Sequence, residues 1–157
     1  MLTKLKIERF KNFEEASLDL GPLTVLIGSN ASGKSNIRDA FRFLHGISRG
    51  YNLAEIMGEK YIEGGILQWL GIRGGTRELT YLGAETFTLA VEFSAPDESS
   101  AVYAIEVDPG KGFTRPRVVN ESLHVGDMRI FSYSHSDNRS LGVNIRDIHP
   151  FRPLLTQ

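Results

Sequence analysis

The first 27 residues alternate in a way that predicts three strands. Leu5 and Ile7 alternate with Lys4, Lys6 and Glu8, and Ala16, Leu18 and Leu20 alternate with Ser17 and Asp19. Period-two alternation suits strands with one buried face. Gly21-Pro22 marks a turn, and Leu23-Thr24-Val25-Leu26-Ile27 then runs almost continuously apolar. A short β-branched run of that kind predicts a central strand covered on both faces. After a glycine-rich turn, Ile37, Ala40, Phe41 and Leu44 fall at i, i+3, i+4 and i+7. That spacing predicts a helix with these four on its buried face and Arg38, Asp39 and Arg42 off it. Glycine at His45-Gly46 predicts its end.

Residues 46–85 hold nine of the sixteen glycines and predict short helical or irregular pieces, with Ile66, Leu67, Trp69 and Leu70 as an amphipathic turn against the core. Alternation then returns. Phe87, Leu89, Val91 and Phe93 share one face, as do Tyr103, Ile105 and Val107. Asp108-Pro109-Gly110 is turn chemistry. Residues 117–125 and 128–133, joined by Gly126-Asp127, predict a hairpin. The second half therefore reads as an antiparallel meander, and His149-Pro150-Phe151-Arg152-Pro153 as a proline-broken terminus.

Between the apolar run and the helix stands Gly28-Ser29-Asn30-Ala31-Ser32-Gly33-Lys34-Ser35, which satisfies G-x-x-x-x-G-K-[ST] at every defined position. The chemistry explains the spacing. Glycines let the backbone approach a ligand closely, and inward amides of residues 30–35 cradle phosphate oxygens. The helix N-terminus adds partial positive charge there. Lys34 reaches the β- and γ-phosphates as a point charge, and the Ser35 hydroxyl is the expected Mg²⁺ ligand. The implied cofactors are ATP and Mg²⁺, held by Gly28, Ser29, Asn30, Ala31, Ser32, Gly33, Lys34, Ser35 and the adjoining Asn36.

These segments, with Ile7-Glu8-Arg9-Phe10-Lys11-Asn12-Phe13 before them, resemble the opening of the RecF/SMC-like ATPases of the ABC class, including AAA-type ATPases of bacterial defence. The close resemblance covers residues 1–45, and a weaker one runs through 87–125. It implies an α/β P-loop NTPase fold, an ABC-ATPase-like N-terminal lobe with an antiparallel β subdomain occupying residues 1–157. It also implies that Lys11 and Asn12 lie beside the nucleotide, touching phosphate or ribose. Such heads carry a Q-loop glutamine, an L-S-G-G signature and a Walker B strand ending in Asp-Glu. Here Gly74-Gly75-Thr76-Arg77 lacks the preceding Leu-Ser, Asp97-Glu98 follows Ala95-Pro96, and the only glutamines are Gln68 and Gln157. The resemblance thus implies the N-terminal piece of a head, completed by its missing C-terminal half or by a homodimer. The residues of hydrolysis are unknown, and a protein ending at Gln157 is expected to bind ATP poorly and hydrolyse it hardly at all. The intact protein is expected to use ATP in DNA repair, chromosome maintenance or anti-phage defence. The alternatives are a non-catalytic dimerisation or scaffold module and a small P-loop kinase or GTPase.

Composition narrows the field little further. A formal charge of −1 gives no global nucleic-acid signal, although Lys4, Lys6, Arg9 and Lys11 make a basic strand face, read either as a DNA contact or as a solvated edge. The absence of cysteine excludes disulfides and thiolate metal sites and fits a cytoplasmic protein. No apolar run approaches the roughly 20 residues that span a bilayer. His45, His124, His135 and His149 lack metal-ligand spacing, and Ser134-His135-Ser136-Asp137 reads as a polar loop rather than a triad. Glu14-Glu15 and Asp97-Glu98 are adjacent pairs whose side chains diverge.

Overall fold

The computed structural model describes residues 1–95, 99–112, 114–136, 139–141 and 153. Asp97-Glu98, Asp137, residues 149–152 and Gln157 lie outside the described residues. The predicted alternations close into one seven-stranded antiparallel sheet in the order β2-β1-β5-β6-β7-β8-β9. These strands are β1 (Leu2–Phe10), β2 (Phe13–Asp19), β5 (Phe87–Ser94), β6 (Ser100–Asp108), β7 (Arg117–Val125), β8 (Met128–Ser134) and β9 (Arg139–Leu141). A two-stranded hairpin, β3 (Lys60–Ile62) and β4 (Ile66–Trp69), stands apart from the sheet.

One sheet face presents Leu5, Ile7, Phe87, Leu89, Val91, Tyr103, Ile105 and Val107 to a continuous core. Helix α1 (Lys34–Ser48) lies on that face. Phe43 meets Phe87 edge-on at 5.3 Å between ring centroids, and Phe10 packs on the same ring at 5.1 Å. A short second helix, α2 (Leu53–Met57), is held by Asn52 and Glu55, each bonding the other's backbone amide.

Four predicted details are corrected. The buried stripe of α1 is Asp39, Ala40, Phe43, Gly46 and Ile47, so Ile37, Phe41 and Leu44 sit at its flank and Asp39 is on the inside. Gly46 lies within the helix, where a Cβ would stand 2.7 Å from Ile56 Cγ1; it is a close-packing position against α2, not a stop. The chain leaves the helix at Gly50, whose φ of 77° only glycine adopts readily. The apolar run 23–27 forms no strand and pairs with no described strand, and its side chains face solvent, Ile27 at 92% exposure. A central strand is covered only when neighbours stand on both sides, and the described sheet supplies none there. Of the turn predicted at 66–70, only Trp69 reaches the core; Ile66, Leu67 and Leu70 are exposed.

Candidate functional site

The exposed segment leads into the loop of residues 28–33, and α1 begins directly behind it at Lys34. The first amides of any helix lack intrahelical acceptors. In α1 no side chain caps them and no acidic residue sits in the first turn, so the positive end of the helix is left open to a ligand. Asn30, Ala31, Ser32, Gly33, Lys34, Ser35 and Asn36 line a recess of about 380 Å³ there, joined by Asn12 and Arg73. Lys34 Nζ is drawn across the loop by the Gly28 carbonyl at 2.6 Å, the Ser29 carbonyl at 2.5 Å and Ser32 Oγ at 3.1 Å.

The β1–β2 turn closes one side. Gly33 has a φ of 92°, and a Cβ on it would stand 2.8 Å from Phe13 Cζ and 2.9 Å from Asn12 Nδ2. The loop therefore rests directly on the turn, and Asn36 Nδ2 donates to Asn12 Oδ1 at 2.7 Å. Asn12 is brought to the recess beside the loop. Lys11 does not line the recess: its side chain is 7% exposed, its ammonium lies 3.3 Å from Asp39 Oδ2, and it donates to the Arg73 carbonyl at 2.6 Å.

Two residues of the site escaped the sequence reading. Asp39, 2% exposed, accepts from Arg73 Nη2 at 2.9 Å and Arg73 Nε at 3.1 Å. Arg73 also donates from Nη2 to Asn36 Oδ1 at 3.3 Å while remaining half-exposed at the recess. The available signals were an aspartate four residues before Phe43, on its side of the helix, and an arginine set among Gly71, Gly74 and Gly75.

What the recess can do chemically is take an anion: two cations, open amides and a helix N-terminus converge on it. Ser35 stands at the helix start with an exposed side chain, one hydroxyl oxygen for a hard cation that keeps most of its waters. Among the described residues no group of three histidine, aspartate or glutamate side chains could hold a metal by itself. The basic strand face is neutralised locally, with Lys4 on Asp19 at 3.1 Å, Lys6 on Glu92 at 2.8 Å and Arg9 on Glu106 at 3.3 Å. No helix of the described residues is long and apolar enough to cross a membrane.

Residues 23–112 match the protein family described as "AAA domain, putative AbiEii toxin, Type IV TA system". The chain is 46% identical over 44 residues to the DNA replication and repair protein RecF of Streptococcus thermophilus, a match covering 27% of this chain and 12% of that protein. It is 46% identical over 46 residues to the chromosome partition protein Smc of Methanocaldococcus jannaschii, covering 29% of this chain and 4% of that protein. The solved structure of the recombination mediator RecF with ATP aligns over 82% of this chain and 28% of its own at 16% identity, with a TM-score of 0.46. The matched stretches are thus a small part of these curated relatives' length.

Proposed function

The chain belongs to the AAA domain family, in the RecF/SMC-like branch of the ABC-type ATPases, and from that premise we propose that residues 28–35 bind the polyphosphate of ATP with Mg²⁺. The observation that carries this reading is the recess itself, in which the open amides of α1 and the Lys34 ammonium face one volume. Asn30 through Asn36 and Asn12 form its wall, and the Gly28 and Ser29 carbonyls hold the Lys34 ammonium behind it. Lys34 would hold phosphate oxygens, Ser35 would give one oxygen to Mg²⁺, and Arg73 would add a second cation at the rim.

Among the described residues no strand pairs with residues 23–27, and Leu23, Val25, Leu26 and Ile27 leave apolar side chains exposed to water. Fully burying an exposed aliphatic side chain is worth about 1.5–3 kcal/mol, which a pairing strand and the layers packed over it would recover. We assign that strand to the remaining half of the same ATPase head, and the working unit to a dimer of such heads in the cytoplasm. The names of the relatives support a role of the assembled protein on DNA, and that of the family a role in a toxin–antitoxin system. Pairing of Lys4, Lys6 and Arg9 with carboxylates makes β1 a poor candidate for the DNA contact.

The test is Lys34→Ala, titrated with a fluorescent ATP analogue and Mg²⁺. Charge-assisted bonds to phosphate are worth about 1.5–3 kcal/mol, so affinity should fall at least tenfold. The melting temperature should stay near that of the unsubstituted protein, because the Lys34 bonds are exposed ones within its own loop. Undiminished affinity would remove the assignment.

A further inference from the structure

Asp39 is a buried carboxylate that the proposed phosphate chemistry does not itself use. An isolated charge at such a position is strongly disfavoured unless it is paired and hydrogen-bonded. Here it is doubly paired, to Lys11 from the β1–β2 turn and to Arg73 from the loop after β4. Two cations on one carboxylate leave a surplus positive charge. Lys11 is enclosed, so the exposed face of that surplus is Arg73, which opens on the recess. The guanidinium is held as a fork: Nε and Nη2 both reach Asp39 Oδ2, and Nη2 also reaches Asn36. The contact therefore fixes direction as well as charge.

We propose that Asp39 is a positioning residue for anion binding: from inside the helix it aims Arg73 at the recess and ties the β1–β2 turn, α1 and the 70–79 loop to the presence of phosphate there. The inference rests on the ATP reading above. Without the carboxylate, Arg73 loses its fork and keeps only Asn36, and Lys11 is left with a carbonyl as its recorded partner. A purely structural ion pair would affect stability alone. A positioning role makes the affinity effects of Asp39 and Arg73 depend on each other.

The experiment is a double-mutant cycle on the 157-residue chain, titrating the fluorescent ATP analogue with Mg²⁺ and recording melting curves for every variant. Asp39→Asn and Arg73→Ala should each weaken binding on the order of tenfold, and the pair no more than either alone. Arg73→Lys covers the case in which Asp39→Asn fails to fold. It keeps the charge but cannot make the fork, so it should lose nearly as much as Arg73→Ala. Multiplying losses in the double variant, an Arg73→Lys variant that binds normally, or an Asp39→Asn variant with normal affinity would each overturn the proposal. Lys34→Ala, run in parallel, separates the two readings. Binding that ignores Lys34 brings down the ATP reading and this proposal with it, whereas Lys34-dependent binding with an uncoupled cycle brings down this proposal alone.

Discussion

At Gly33 two demands meet on one backbone atom. Its φ of 92° lies where an L side chain costs about 1–2 kcal/mol, and the space where a Cβ would go is held by Phe13 and Asn12. The second demand is invisible in the motif, which states only that glycine precedes the lysine. Gly33→Ala should therefore do more than strain the loop. To admit the methyl, Phe13 and Asn12 must withdraw, and Asn12 gives up its bond to Asn36. Overpacking adds roughly 1–3 kcal/mol, so the variant should lose several kcal/mol in urea unfolding and bind nucleotide weakly even where folded. Gly28→Ala is the useful comparison. A Cβ there has Ser32 and the Lys34 ammonium as its nearest neighbours, at 3.0 Å or more, with no positive φ, and should disturb the loop without unfolding the chain. Equal stability losses at the two glycines would show that the turn is not a support for the loop.

Elements differ in how openly the sequence declares them, and the reason is the environment each was built for. β5, β6, β7 and β8 pair with neighbours close in sequence and bury one face, so alternation alone locates them and Gly126-Asp127 locates the β7–β8 turn. The run 23–27 carries the composition of a doubly covered strand, yet composition cannot supply neighbours, and among the described residues none pairs with it. Helix α1 was legible in place but not in rotation. Phe41 and Leu44 match the apolar period as well as Phe43 and Ile47 do, and a buried Asp39 breaks the rule that charge marks the outer face. Helix α2, with five residues, is too short for periodicity to show, and its one sequence signal is the Asn52…Glu55 spacing of a reciprocal cap. That cap makes a prediction. Asn52→Ala leaves the Glu55 amide without its acceptor and should cost about 1 kcal/mol, read as a lower urea midpoint at unchanged slope. A loss within error would mean that α2 is held by Leu53, Ile56 and Met57 in the core and owes nothing to its cap.

For the molecule as a whole, the groups with displaced titration place its weakness on the alkaline side. Burial pushes the Tyr103 hydroxyl well above the usual phenol value of 10.0, reinforced by the Glu121 carboxylate, to which it donates at 2.8 Å. Tyr133 is raised by its own burial, and Lys4 is raised above 10.5 by its bond to Asp19. The sign is the same for all three. Below the unfolded value both states hold the proton and the stabilisation is complete. As pH climbs past it the unfolded chain releases a proton that the folded chain keeps, and stability declines until the folded value is reached. On the acid side, Glu92 is lowered by its bond to Lys6, so that contribution is present above 4.5 and fades as pH falls through its folded value. The melting temperature should thus hold steady through neutral pH and drop steeply above about pH 10. Of the five tyrosines, Tyr103 should ionise only as the sheet opens, so tyrosinate absorbance should show a late step coincident with the loss of circular dichroism. Tyr103→Phe should flatten the alkaline limb while lowering the neutral plateau, because Glu121 loses a buried donor. A folded protein whose tyrosines all titrate together near 10 would show that the Tyr103–Glu121 contact is open to water and that the core does not seal the sheet at β6 and β7.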